Sequence, residues 1–255
     1  MLDLATVKLG KKPPKHDMRV PMLARYTANL PPAPAQSNWL KGRESADFGM
    51  MMNDELGDCT CAGMGHAIQT WTYVATGKMV TLPDSAILAR YEIFGYRPDD
   101  PSSDQGAVET DVLNYWLKAP FEGHAIDGYA ALQPRDIRDV RDAIWLFGGA
   151  YIGVALPLAA QNQSVWTVTP QGFSGDGAPG SWGGHCVYVV GYDSRFVHFI
   201  SWGCMMRMSW NFWWAYTDES YAIVSSDWFA AGRNAPSGFD KSALMADLAT
   251  LREAV

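Results

Sequence analysis

After residue 58 the apolar positions of the chain follow a helical period. One stripe contains Ala62, His66, Gln69 and Tyr73, and Gly77 follows at a position typical of a helix C-terminus. The segment carries few charges, so we expect a helix that is buried on most sides. Three more helices are predicted after it, over residues 84–95, 108–116 and 134–148.

From residue 150 the pattern changes toward that of strands. Apolar, β-branched runs predict four strands, at residues 150–156, 185–192, 196–202 and 221–225. The short turn at 193–195 makes the second and third of them neighbours. A helical half followed by a strand half indicates the α+β class, with two lobes that can meet in a cleft.

The same pattern divides the chain into four parts. Residues 1–45 are rich in proline and predict an extended arm, which wraps the body of the protein or reaches a protein partner or a second copy. Residues 46–149 form the predicted helical lobe and residues 150–230 the predicted antiparallel strand lobe. Residues 231–255 form a tail whose leucines recur at helical spacing, which predicts a short helix.

Composition narrows the possible function classes. Of the 255 residues, 48% are apolar and 18% are charged, which is typical of a globular protein. The 27 acidic residues outnumber the 20 basic ones, so no nucleic-acid partner is expected. No apolar run approaches the roughly 20 residues of a membrane span, and the first residues lack the pattern of a secretory signal. We therefore expect no membrane partner, and a location in the cytoplasm or in a virion-like particle.

Cys59 is the first candidate for chemistry, because it follows a polar loop and opens the first predicted helix. Backbone N–H groups and the positive end of the helix dipole favour a thiolate at such a position. A thiolate nucleophile also needs a base, an oxyanion donor and a group that orients the base. A buried structural cysteine is the alternative interpretation of this stretch. Cys61, two positions further on, competes for the role of nucleophile.

His185 is the best-placed base among the five histidines. It follows two glycines and begins an apolar strand, at an edge that can face the helix start of the other lobe. His66 lies two turns along the helix from Cys59, too far along the axis for a direct bond, so we expect a packed helix residue. The remaining histidines, His16, His124 and His198, carry no such signal.

The cysteines also offer a second chemistry. Cys59, Cys61, Cys186 and Cys204, together with His185, could supply soft ligands to zinc. Paired zinc ligands usually lie two to four residues apart, and neighbours on a strand point to opposite faces, so this arrangement is poor. Four cysteines in a chain of this length do not make a disulfide scaffold either. We therefore expect neither a metal nor another cofactor.

Several segments, in order along the chain, resemble the papain-like cysteine peptidases. Residues 31–59 are similar to the mature start of these enzymes: a proline-rich lead, a tryptophan, and a loop that ends in Gly-x-Cys. Residues 184–192 are similar to the family's His-Ala-Val-x-x-Val-Gly-Tyr strand, and residues 201–203, Ser-Trp-Gly, to its Asn-Ser-Trp-Gly segment. Residues 126–129 and 150–156 fall where the family has further strands. The resemblance implies a divergent bacterial or phage-type member with a helical first lobe and an antiparallel, β-barrel-like second lobe.

The resemblance also implies roles for individual residues. Cys59 matches the nucleophile, and His185 matches the base that later protonates the leaving amine. Asn53 stands six residues before the nucleophile, where the family has the Gln of its oxyanion hole. Its side-chain NH2 could still donate a hydrogen bond to an oxyanion, although it is one methylene shorter.

The family's Asn that orients the His is replaced here by Ile200, which cannot accept a hydrogen bond. Ser201 could substitute through a small shift, or Trp202 could simply shield the site. Gly184 and Trp202 are the residues that we expect beside a bound substrate. The replacement of the family's Asn by Ile200 does not change the expected fold, but it weakens the expectation of efficient proteolysis.

Two functions follow from these expectations. The first is a cysteine hydrolase, in particular a peptidase that cleaves a peptide or protein substrate through a Cys59 thioester. The second is a weakly active or inactive protein that uses the same fold for binding or assembly, for example in a virion. The paired Cys59 and His185 favour the first, whereas Ile200 and the long arm favour the second. The aromatic stretch 202–214 also has two interpretations, as core and cleft wall or as an apolar substrate groove.

Overall fold

The computed structural model describes residues 3–230 and 241–254. Its helices are α1 Ala24–Thr27, α2 Cys59–Thr76, α3 Asp84–Glu92, α4 Glu109–Lys118, α5 Ile137–Phe147, α6 Trp210–Tyr216, α7 Ser226–Ala230 and α8 Lys241–Ala254. Its strands are β1 Ser37–Asn38, β2 Ile126–Ala131, β3 Ala150–Leu156, β4 Gly183–Tyr192, β5 Phe196–Ser201, β6 Cys204–Ser209 and β7 Thr217–Ser225. The α+β class expected from the sequence is confirmed.

Helix α2 runs through the core, as its low charge content predicts. All of its residues from Cys59 to Thr72 are buried, and the helix ends on Gly77 in the left-handed conformation. It packs on strand β4. The close approach depends on Gly63, where a Cβ atom would lie 2.9 Å from the Tyr151 ring and 3.1 Å from the Cys186 sulfur.

The described strands form one open antiparallel sheet in the order β2-β7-β3-β4-β5-β6, with the short β1 paired to β4. The register places His185 opposite Val154 of β3 and Tyr188 opposite Ile200 of β5. The sheet takes strands β1 and β2 from residues before 150, and the division of the chain into arm, lobes and tail stays a prediction.

Two features of the strand region differ from the sequence-based expectation. The aromatic stretch contains a further strand, β6, and a helix, α6. Four of its large side chains, Trp202, Met208, Phe212 and Trp213, are core, whereas Trp214 is exposed. Strand β7 begins at Thr217, four residues before the predicted start. The first residues of this strand are polar and include Asp218 and Glu219, so they do not show the apolar pattern of a strand.

The N-terminal residues pack against the body of the protein, because their apolar side chains are buried. Leu23, Tyr26 and Leu40 lie in the core. The predicted tail helix is α8, in which Leu248 packs against Gly128 of β2. The side chain of Leu251, together with residues 231–240 and 255 of the predicted tail, lies outside the described residues. Among the described helices, none has both the length and the apolar character needed to cross a membrane.

Candidate active site

Cys59 begins helix α2 and lies at the contact between this helix and strand β4. The backbone N–H of Cys186 donates a hydrogen bond to its sulfur, with N and Sγ 3.4 Å apart. The backbone of Gly10, in the N-terminal arm, lies near the same sulfur and acts to lower the pKa of the thiol. Only 1% of Cys59 is exposed, so the sulfur is enclosed by both the body and the arm.

His185 lies near the start of β4, directly before the residue whose N–H contacts Cys59. Its Nε2 is hydrogen-bonded to the hydroxyl of Ser201, with 2.6 Å between the two atoms. Its ring stacks on Trp202 at a centroid distance of 4.2 Å. Nδ1, the other ring nitrogen, makes no hydrogen bond with the residues that the structure describes. The imidazole is therefore fixed through one nitrogen and one ring face, while the other nitrogen is free.

Ser201 therefore reaches the imidazole that the family's Asn would orient. The preceding residue, Ile200, is fully buried and pairs with Tyr188 in the sheet. Successive side chains on a strand point to opposite faces, so Ile200 and Ser201 cannot both face His185. A serine hydroxyl can donate or accept, so it can hold either neutral tautomer of the ring.

Burial sets the protonation of the candidate pair. It raises the pKa of the Cys59 thiol to about 12, although the backbone groups of Cys186 and Gly10 act in the opposite direction. It lowers the pKa of His185 to about 3, with a further contribution from the charge of His66. Near neutral pH the pair is therefore a thiol and a neutral imidazole. The thiolate expected at a helix start is absent from this state, because desolvation outweighs the helix dipole.

Residues 8–12 of the arm pass through the site as an extended peptide. The N–H of Lys11 donates to the carbonyl of Gly184 at 3.0 Å. On the other side, the N–H of Lys12 donates to the carbonyl of Ala107 at 2.9 Å, and the N–H of Ala107 donates to the carbonyl of Gly10 at 2.8 Å. The arm is thus held by backbone hydrogen bonds on two sides, next to the Cys59 sulfur.

Glycines make room for this peptide. A Cβ atom on Gly10 would lie 1.6 Å from the carbonyl oxygen of Gly57. A Cβ on Gly106 would lie 1.8 Å from the Gly10 oxygen, and one on Gly184 would lie 2.2 Å from the Lys11 oxygen. Backbone lies against backbone on both walls, so no other residue type fits at these positions without displacement.

Asn53, the candidate oxyanion donor, is buried beside the arm. Its Nδ2 donates to the carbonyl of Leu56 at 3.0 Å and more weakly to the carbonyl of Lys8 at 3.5 Å. The indole N–H of Trp202 donates to the same Lys8 carbonyl at 3.3 Å. The Asn53 amide and the Trp202 indole thus converge on a peptide carbonyl of the arm.

The alternative sequence-based candidates lie elsewhere in the fold. Cys61 is fully buried within α2, and burial raises the pKa of its thiol well above the usual range. His66 is packed inside the helix with its Nδ1 2.9 Å from Gln69 Oε1, as expected. Cys204 is exposed on β6. Within residues 3–230 and 241–254, no three His, Cys, Asp or Glu side chains are grouped to hold a metal ion.

Sequence reasoning missed an acidic pocket beside the cleft. The ammonium group of Lys11 is buried there, 2.9 Å from Asp218 Oδ2 and 3.0 Å from Glu219 Oε1. Glu109, the first residue of α4, is also fully buried near this group. The available signal was weak, because the pocket joins residues from the arm, α4 and β7 that are far apart in sequence.

Comparisons with known proteins support the fold. No family model matches the sequence, and no curated protein matches it. Among solved structures, xylellain, a cysteine protease from Xylella fastidiosa, superposes with a TM-score of 0.60 at 13% identity, over 86% of this chain and 96% of that one. Procathepsin L 3 of Tenebrio molitor gives a TM-score of 0.58 at 16% identity, over 87% of this chain and 77% of that one.

A third match is the structure of the cysteine protease and lectin-like domains of Cwp84 from Clostridium difficile. It gives a TM-score of 0.58 at 13% identity, over 86% of this chain and 57% of that one. At this level of identity the matches establish architecture. The chain has the fold of the papain-like cysteine proteases, as its ordered motifs predict.

Proposed function

We propose that the protein is a cysteine peptidase that cleaves amide bonds through a thioester on Cys59. The observation that carries this proposal is the peptide already lying in the cleft. Residues 8–12 run past the Cys59 sulfur in extended form and are held by backbone hydrogen bonds to Gly184 and Ala107. Such contacts do not depend on side chains, so they suit a peptide substrate of variable sequence.

The residues of the candidate site have the chemical groups that each step of the reaction needs. With Nε2–H donating to Ser201, Nδ1 of His185 carries a free lone pair and can take the thiol proton as Cys59 attacks the peptide carbonyl. The Asn53 amide supports the negative oxygen of the tetrahedral intermediate. His185 returns its proton to the leaving amine, which leaves the acyl group on sulfur. Water, deprotonated by the same imidazole, then hydrolyses the thioester and regenerates the thiol.

The arm holds this form of the enzyme inactive. Its residues 8–12 fill the cleft, and its presence contributes to the burial that keeps Cys59 a thiol and His185 neutral. Displacement of the arm would admit both water and substrate. Hydration of the pair would then lower the pKa of the thiol and raise that of the imidazole, toward the ion pair that attacks carbonyls.

A cysteine-directed epoxide probe tests this proposal. We would label full-length Gly10→Ala, in which the added Cβ would collide with Gly57 and displace the arm. Mass spectrometry would then identify the modified cysteine. We expect fast labelling of Cys59 that is lost in Gly10→Ala/His185→Ala. Equal, slow labelling of all four cysteines would overturn the proposal.

A second candidate function is binding or assembly by an inactive protein of the same fold. The specific observation in its favour is the enclosed Cys59, whose pKa is raised to about 12. On this hypothesis the arm is a permanent part of the fold, and Cys59 is a core residue. This function would be favoured over the peptidase if Cys59 is labelled slowly, if labelling occurs only at strongly alkaline pH, and if His185→Ala leaves the rate unchanged.

A further inference from the structure

We propose that the pocket occupied by Lys11 is a substrate pocket, and that the peptidase selects peptides with a lysine side chain at this position. This inference rests on the proposed function. Lys11 directly follows Gly10, whose backbone lies near the Cys59 sulfur. A substrate that crosses Cys59 in extended form therefore carries a side chain into the same pocket.

The polar groups of the pocket match an alkylammonium ion. Nζ of Lys11 lies 2.9 Å from Asp218 Oδ2, 3.0 Å from Glu219 Oε1 and 3.1 Å from the carbonyl oxygen of Lys12. The ammonium group thus donates hydrogen bonds to Asp218 and to the Lys12 carbonyl, and it forms an ion pair with Glu219. A planar guanidinium presents its donors in a different geometry, so the arrangement favours lysine over arginine.

The charge of the pocket also demands a cation. Burial opposes protonation of Lys11, but the carboxyl groups of Glu109, Glu219 and Asp218 outweigh it and raise the pKa of the amine above its usual value. Glu109 is fully buried, and neither of its carboxyl oxygens has a hydrogen-bond partner among the described residues. Burial raises the pKa values of Glu109 and Glu219, and the charge of Lys11 lowers them. An occupant without a positive charge would therefore leave these buried acids either protonated or without a counter-charge.

The shape of the pocket fits a long, unbranched side chain. A Cβ atom on Gly153 of β3 would lie 2.0 Å from Cε of Lys11, so the absence of a side chain there makes room for the methylene stem. The Tyr221 hydroxyl donates to Glu219 Oε2 at 2.8 Å and fixes this carboxyl group. The body of the protein therefore provides the depth of the pocket and its carboxyl groups, whereas the arm supplies the occupant and the Lys12 carbonyl that accepts a hydrogen bond from it.

The alternative is that the pocket serves only to anchor the arm. To separate the two, we would empty the pocket in full-length Lys11→Ala, with Lys11→Met as a second variant in case the first does not fold. Epoxysuccinyl peptides would then be compared, each with lysine, norleucine or glutamate at the first or second residue after the reactive group. The rate of Cys59 modification is measured by mass spectrometry. Binding of n-butylammonium, with n-butanol as the neutral control, is measured independently as a rise in Tm.

We expect the lysine probe to modify Cys59 at least about tenfold faster than the norleucine probe, given the strength of hydrogen bonds to charged groups. Adding Glu219→Gln should reduce this ratio, whereas Glu92→Gln, at an exposed position on α3, should leave it unchanged. Stabilisation by butylammonium combined with equal rates for lysine and norleucine would overturn the inference, because the pocket would then only anchor the arm. Failure of every probe to modify Cys59 would instead overturn the proposed function, and the substrate pocket with it.

Discussion

The Nε2 atom of His185 lies 2.6 Å from the hydroxyl oxygen of Ser201. This hydrogen bond replaces the one that Ile200 cannot make. A strand can present only one of two neighbouring residues to the imidazole, and here that residue is Ser201. The ring is held on its face by Trp202 and along its edge by Ser201. The orienting role is thus available in this chain, although the residue that supplies it is one position further along.

We predict that Ser201→Ala lowers kcat about ten- to a hundredfold, the usual effect of removing a group that orients a reactive side chain. KM should change little, because Ser201 is buried and its hydroxyl is hydrogen-bonded to His185. The comparison is made in the Gly10→Ala background with a peptide substrate. Ser201→Thr, which retains the hydroxyl, serves as the control and should recover most of the activity. Equal kcat in Ser201→Ala and the parent would remove Ser201 from the mechanism.

Two lysines of the arm, Lys11 and Lys15, differ in burial and so allow a buried ion pair to be compared with an exposed one. Lys11 is buried against carboxylates, whereas Lys15 forms an exposed ion pair with Asp111 at 2.9 Å. Removing one partner of a buried ion pair costs about 3–5 kcal/mol, so Lys11→Met should strongly lower the free energy of unfolding. Lys15→Met should lower it by no more than about 1 kcal/mol.

Chemical denaturation measures the free energy of unfolding of both variants. Labelling of Cys59 reports whether the arm has left the cleft. Lys11→Met should accelerate labelling, and Lys15→Met should not. Identical behaviour of the two variants would show that the buried cluster does not hold the arm.

The pH dependence of Cys59 alkylation reports the burial of the sulfur. In the wild-type protein the pKa of this thiol is raised to about 12, so little thiolate exists below pH 10. In Gly10→Ala the sulfur is hydrated and the pKa falls, so the rate should reach its plateau at lower pH. Iodoacetamide labelling at a series of pH values gives both curves. Superimposable curves would show that the arm does not control the ionisation of Cys59.

Acid should destabilise the protein through its buried histidines. Burial lowers the pKa of His66 to about 4, although its hydrogen bond to Gln69 acts in the opposite direction. Below pH 6.5 the unfolded chain binds a proton at this position and the folded chain does not, so stability falls as the pH drops toward 4. Each such group contributes about 1.4 kcal/mol per pH unit. His66→Asn should reduce the slope of unfolding free energy against pH by about this amount.

Sequence patterns were sufficient to predict the helices and strands whose apolar residues recur at a regular spacing. Helix α2 was predictable from an apolar stripe and a terminal glycine, and β4 and β5 from two apolar runs around a turn. The start of β7 was not predictable, because Asp218 and Glu219 are polar and find their partner, Lys11, some 200 residues earlier in the chain.

The candidate site could be predicted only in part from the sequence. Motif order identified Cys59 and His185, and the family resemblance identified Asn53 and Ser201 as candidates for supporting roles. The course of the arm could not be predicted, because an extended peptide with prolines can dock on any complementary groove. The low exposure of Cys59 and its raised pKa follow from burial by the body and the arm together, so they too could not be inferred from local sequence.

Cleavage of a defined mixture of unstructured peptides is the most direct test of whether Cys59 is the nucleophile of a peptidase. Full-length Gly10→Ala would be incubated with the mixture, and the products would be identified by mass spectrometry. Gly10→Ala/Cys59→Ala and Gly10→Ala/Cys61→Ala serve as the matched pair. We expect new peptide termini with Gly10→Ala, their loss with Cys59→Ala and their retention with Cys61→Ala. Cleavage that persists without Cys59, or no cleavage by a variant whose arm has demonstrably left the cleft, would contradict this role of Cys59.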